Sequence, residues 1–318
     1  MAKATPVADT VATLAERRRP HPVGDRRTVR AIHYAMLCPT LGLLLAFLVI
    51  PAAYVGWLSF TTSTYGHESK LVGFANYAQL FADRIFWRAF WNTFFVVNGI
   101  VYVELLLGLG LAVLLSGPVP VKALVIAVIL APYAITESSG IVMWRYMFEP
   151  DVGMISQLLG QVGVPELAWS TNPVATLFLA STIAIWHHLP FTFLILYAAL
   201  TTVPRELLEA ARMDGASAWR QFQLITLPLI MPAILIAVLF RYIFAIRTFA
   251  EVWLLTEGGP ARLSEVLAIY LYRELFKYHQ FGMAAATGVF MLVMSLAIAL
   301  PYLVRMYREV QRLSLIHI

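Results

Sequence analysis

Charge is what this sequence has least of. Only 13% of its 318 residues are Asp, Glu, Lys or Arg, against 60% that are hydrophobic, whereas a soluble domain carries about 25% charged residues. That scarcity excludes a water-soluble globular fold for most of the chain and makes lipid its main solvent. Cysteine is nearly absent: the single Cys38 rules out any intrachain disulfide. No G-x-x-x-x-G-K-[ST] phosphate loop, G-x-S-x-G elbow or H-E-x-x-H pair occurs, so ATP hydrolysis, serine-hydrolase chemistry and zinc-protease chemistry are not expected of this chain. The net charge of +5 does not point to nucleic acid, because the basic residues gather at the ends and in the loops.

What the chain has instead is a series of long apolar runs. Residues 1–33 are polar and basic, with Arg17, Arg18, Arg19, Arg26, Arg27 and Arg30, and read as a flexible tail. The first apolar run, about 36–60, is too long for a cleaved signal and long enough for a bilayer, which needs roughly 20 residues. Five more follow at about 90–115, 121–147, 174–200, 227–255 and 283–304. Pro132 and Glu137 interrupt the third, Pro190 the fourth after His187 and His188, and Arg241 the fifth. Interruptions of this kind survive in a membrane where neighbouring helices or a wet cavity satisfy the freed groups. The expectation is an all-α membrane protein, a packed bundle of six transmembrane helices over 34–310.

With both ends on one side, fourteen Lys and Arg fall in the segments on that side and seven in the opposite loops. The excess marks the cytoplasmic face, so both termini are expected inside. The outer loops are short and rich in aromatics and turns, and Trp87, Trp91, Trp144, Trp169 and Trp253 stand near span ends, where interfacial tryptophans collect.

One inner segment breaks the apolar pattern: "VPRELLEAARMDGASAWRQFQLITLPLIMP", within the loop 201–228 and the re-entry after it. Pro204 suits a first helical turn, and Glu206 and Glu209 suit the positive end of a helix. Leu207, Ala210, Ala211 and Asp214 share one small, flat face. Gly215 ends the helix and Ser217 can cap a second. A short helical elbow results. Its stretch "EAARMDGASAWRQFQLITLP" resembles the EAA loop of ATP-binding-cassette importer permeases at Glu209, Ala210, Ala211, Gly215, Ile225, Leu227 and Pro228, with no departures.

That resemblance implies a type I importer permease bundle in a bacterial or archaeal cell membrane, with the elbow as a coupling helix. Glu209, Ala210, Ala211, Asp214 and Gly215 would dock on a cytoplasmic ABC ATPase dimer that holds ATP and Mg2+; this chain would need no cofactor. "MFEPDVGMISQLLG", "PELAWSTNP" and "LLTEGGP" look like the carbohydrate branch, which imports sugars, oligosaccharides, polyols or glycerol phosphate. The chain is similar to the maltose- or lactose-system first permease, so a second, different permease subunit is implied. So is a periplasmic or lipid-anchored solute-binding protein. Phe249-Ala250-Glu251 departs from the family's Phe-Asp, which unsettles the carried-over role of that carboxylate. The terminal "LSLIHI" matches nothing in the family and is expected to be non-native.

Asn92, Glu104, Glu137, Arg241, Arg247 and Glu251 fall within or beside the spans. Ionisable groups there face the bundle interior by default and are candidates for a solute path or gate. Arg247 and Glu251, at i and i+4, are expected to pair on one helix face. His187 and His188 lack a third ligand at convincing spacing, so no metal is expected. Two other classes make different demands. An autonomous secondary transporter would show an internal inverted repeat. A membrane enzyme would cluster its acids and bases, but the acids here are scattered. A permease for a non-carbohydrate solute is the nearer alternative.

Overall fold

The computed structural model describes residues 26–316 apart from 65, 67, 68 and 164, with side chains from Ala35 to Arg308. Of the tail expected over 1–33, residues 1–25 lie outside the described residues, as do 317 and 318 of the terminal hexapeptide. The chain divides after Tyr54 into two units.

In the first unit, α1 (Arg26–Leu44) passes through a π-type segment, Leu45–Val49, into α2 (Ile50–Leu58), which runs beyond the division. The stretch Ala35–Leu58 is apolar and long enough to cross a bilayer. Every side chain from 35 to 54 is exposed, an arrangement that suits a lipid environment and not water.

The second unit opens on a hairpin of β1 (Thr61–Thr62) and β2 (Lys70–Leu71), antiparallel with Thr61 opposite Leu71. After α3 (Ala75–Ala82) comes α4 (Arg84–Ser116), which starts where Asp83 accepts a hydrogen bond from the Ile85 N–H at 2.8 Å. The capping aspartate lets this helix begin ahead of its apolar run. Next come α5 (Lys122–Leu130), α6 (Glu137–Met147), α7 (Met154–Gln161) and α8 (Pro173–Thr201), then α9 (Arg205–Met213), α10 (Ala218–Gln221), α11 (Leu227–Ala245), α12 (Ala250–Thr256), α13 (Leu267–Tyr272) and α14 (Phe281–Ile316).

Five stretches are long and apolar enough to span a membrane, and α5 with α6 makes a sixth if that bent pair is one span. The span expected over 121–147, with its interruption at Pro132 and Glu137, is bent by 100° between its two helices. Pro132 opens a tight turn at Ala131–Ala134, Ile135 is extended, and Thr136 caps α6 by accepting from the Ser139 N–H. Proline cannot donate the next helical hydrogen bond, so the chain restarts at the cap. Pro190, by contrast, stays inside an unbroken α8.

The core lies between α4, α8 and α11, where Ile100, Phe193, Leu196 and Ala237 are fully buried. Gly108 lets α4 and α8 touch: a Cβ there would stand 3.0 Å from Thr192 Cγ2 and 3.3 Å from the Phe193 nitrogen. Small residues permit such approach between membrane helices, where packing replaces the hydrophobic effect. A second cluster surrounds Trp169, which is buried and donates to the Phe148 carbonyl at 2.8 Å. This tryptophan is therefore a core residue and not an interfacial one.

Candidate functional site

The elbow of the sequence pattern is a helix–turn–helix joining α8 to α11. Helix α9 has no buried residue. It closes with two reversed hydrogen bonds: Gly215 donates to Arg212 at 3.0 Å and Ala216 to Ala211 at 2.9 Å. This double closure needs a left-handed residue, and Gly215 has φ +79°. Ser217 then accepts from the Arg220 N–H, and Gln221 ties the two helices by donating to the Ala216 carbonyl at 2.7 Å. Glu209, Ala210, Asp214 and Gly215 are exposed and Ala211 is half-buried. Met213 and Trp219 are exposed beside them, 88% and 65%. Neither apolar side chain belongs to the sequence motif, though mismatched hydrophobics in a charged loop were the available signal.

Inside the bundle, Glu104 and Arg241 meet. Arg241 Nε lies 2.8 Å from Glu104 Oε2, and the side chains are 3% and 0% exposed. At that distance the two form a close buried ion pair. Thr192 donates to Glu104 Oε1 at 2.5 Å. One carboxylate thereby joins α4, α8 and α11.

Arg241 also lines a cavity of about 300 Å3 with Glu137, His188, Arg247, Thr248 and Glu251. Four of the six intramembrane candidates converge there, and Glu104 stands directly behind. Glu137 and Glu251 each occupy the first turn of a helix, α6 and α12, where the macrodipole favours negative charge. Glu251 is 4% exposed and its Oε2 has no hydrogen-bond partner. A buried lone acceptor of this kind costs about 1–3 kcal/mol unless something donates to it. The chemistry on offer is that of a small polar chamber with acceptors, one buried and one exposed, and an exposed cation.

The expected pairing of Arg247 with Glu251 is absent. The helix stops at Ala245 and restarts at Ala250, so the i, i+4 geometry does not exist across those residues. Arg247 instead places its guanidinium 5.6 Å from the Phe244 ring centre. Among the described residues no three His, Cys, Asp or Glu gather to hold a metal; His187 and His188 pack ring to ring at 5.0 Å.

Asn92 lies outside this cavity. Its amide donates to the carbonyls of Leu263 and Glu265, both at 2.8 Å, pinning the loop between α12 and α13. Thr93 accepts from the Leu267 N–H at 2.8 Å. In the same loop Glu265, fully buried, takes both Nε and NH2 of Arg262 at 2.6 Å, and Arg273 Nε approaches at 3.4 Å. Sequence reasoning missed this clamp; the R-x-x-E spacing of Arg262 and Glu265 was its only trace.

Residues 10–305 match the family model described as binding-protein-dependent transport system inner membrane component. The chain is 32% identical over 276 residues to the sulfoquinovosyl glycerol transport system permease of Agrobacterium fabrum, covering 86% of this chain and 90% of that one. It is 33% identical over 268 residues to the trehalose transport system permease of Mycobacterium tuberculosis, covering 84% and 85%. Among solved structures, a bacterial alginate ABC transporter with its alginate-bound periplasmic protein aligns with TM-score 0.76 at 23% identity, over 86% of this chain and 93% of that one. That last likeness concerns the fold.

Proposed function

The chain belongs to the binding-protein-dependent transport system inner membrane components, and from that membership we propose how its two sites divide the work of import. It is the multi-pass permease of a carbohydrate-class ATP-binding-cassette importer. The elbow at 205–221 is the dock for a cytoplasmic ATPase dimer, which supplies ATP and Mg2+; this chain hydrolyses nothing. Glu209 and Asp214 provide the charge, Ala210, Ala211 and Gly215 the close fit, and Met213 and Trp219 the apolar anchors. Both termini face the cytoplasm, and the opposite loops receive a solute-loaded binding protein.

The cavity at the break between α11 and α12 is this subunit's share of the solute path, completed by a second, different permease. Glu251 and Glu137 accept hydroxyl hydrogen bonds from the sugar. Arg241, held by Glu104, links the chamber to three spans, so that rocking of α11 opens or closes it. The observation that carries this reading is helix α9, in which no residue is buried and most are exposed. The test is co-purification of the co-expressed system: wild type should bring down an ATPase and a second permease, and Glu209→Arg should lose the ATPase alone. Elution of the wild type by itself sinks the docking assignment.

A further inference from the structure

At the end of the bundle where α4 and α14 begin lies another cavity, also about 300 Å3, lined by Gln79, Asp83, Tyr270, Glu274, Tyr278, Gln280 and Met283. Apart from one methionine, every side chain there offers oxygen. Glu274 is 7% exposed, and among the described residues its carboxylate takes part in no hydrogen bond or ion pair. Burying a carboxylate without compensation costs several kcal/mol. Arg262 attracts this carboxylate from a distance, but neither neighbouring guanidinium bonds to it. Arg262 and Arg273 are engaged by Glu265, the first through both its Nε and NH2 at 2.6 Å. Both guanidiniums thus bond to Glu265, and the carboxyls of Asp83 and Glu274 face the pocket without an ion pair of their own among the described residues.

Asp83 is held in place. Its Oδ1 accepts from the Ile85 N–H and its Oδ2 from the Tyr270 hydroxyl, each at 2.8 Å, leaving one lone pair free on each oxygen. The carboxamides of Gln79 and Gln280 take part in no hydrogen bond among the described residues. Gln280 is positioned by its backbone, which donates to the Glu274 carbonyl at 2.8 Å and bridges to Thr64.

We propose that this pocket is a binding site for a hard divalent cation, Ca2+ by its chemistry, held between the carboxylates of Asp83 and Glu274 and completed by the oxygens of Gln79 and Gln280. Oxygen donors without nitrogen or sulfur select Ca2+ or Mg2+ over transition metals. Flexible carboxamides and a roomy cavity favour Ca2+, which accepts irregular coordination, over octahedral Mg2+. With two carboxylates only, the affinity falls in the range of about 10⁻⁴–10⁻³ M seen in extracellular modules. The ion would staple three segments: the end of α3, the π-type segment Arg273–Lys277 and the lead into α14.

The test uses the complete transporter in lipid nanodiscs, stripped with EDTA. Tb3+ is added and excited through Tyr270 and Tyr278, Ca2+ competes through the millimolar range, and thermal unfolding is followed with each addition. The expected result is saturable Tb3+ luminescence displaced by Ca2+, with a Ca2+-dependent rise in unfolding temperature. Glu274→Gln and Asp83→Asn, which keep shape and the helix cap, should weaken both about tenfold or more. Equal stabilisation by NaCl at matched ionic strength overturns the proposal, since it reports screening. So does an unchanged Tb3+ signal in Glu274→Gln. If no cation signal appears and Glu274→Gln weakens capture of the solute-binding protein, the pocket takes a basic side chain of that partner, and the cation assignment fails.

Discussion

Arg241 reaches Glu104 at 2.8 Å with both side chains buried, and Thr192 completes the carboxylate from a third helix. A buried ion pair adds little net stability over an apolar replacement, but half of one is expensive. Glu104→Gln or Arg241→Met alone should therefore destabilise the protein by about 3–5 kcal/mol. The double variant Glu104→Gln/Arg241→Met should recover part of that loss. Thermal unfolding of all three in detergent decides the matter; additive losses would show that the pair is not coupled.

Gly108 faces Thr192 directly. Gly108→Val should force α4 and α8 apart and pull the Thr192 hydroxyl off Glu104. Overpacking of this kind costs about 1–3 kcal/mol. The unfolding temperature should drop, and transport should fall with it.

Gly215 sits at φ +79°, and a side-chain carbon added there would meet nothing within 4 Å, so only backbone strain opposes substitution. Gly215→Val should cost about 1–2 kcal/mol locally and distort the elbow closure. The bundle should unfold at the wild-type temperature, while ATPase capture weakens. Unimpaired capture would mean that the elbow closure is dispensable for docking.

Asn92 supplies both donors that pin the 257–267 loop. Asn92→Leu leaves two carbonyls without partners, each worth about 1–3 kcal/mol if buried. Stability should fall, whereas apparent solute affinity should hold, because Asn92 is outside the chamber of Glu137, Arg241 and Glu251. A selective loss of affinity would put Asn92 on the solute path.

Burial pushes the Glu274 carboxyl from its ordinary 4.5 up to about 7. Below pH 4.5 the folded and unfolded chains both hold this proton. Between 4.5 and about 7 the folded chain keeps a proton that the unfolded chain releases, so stability declines as pH rises through that window. In EDTA, Glu274→Gln should flatten the decline. The same slope in the variant would assign it to another group.

Solvent, spans and elbow are legible in the chain because their signals are local: a run of apolar residues, a proline before α9, a glycine after it. Each acts within a turn or two of helix and needs no partner from elsewhere. Which polar residues meet is a different matter, settled by packing. Glu104 joins Arg241 and Thr192 because of how three helices are rotated about their axes, and no local pattern encodes that rotation. Arg247 and Glu251 part because the helix breaks between them, at a place the i, i+4 spacing could not reveal. Trp169, expected at an interface, lies in the core, and Asn92 holds a loop far along the chain. Periodicity fixes which face a residue occupies on its own helix; what that face touches is settled when the helices pack.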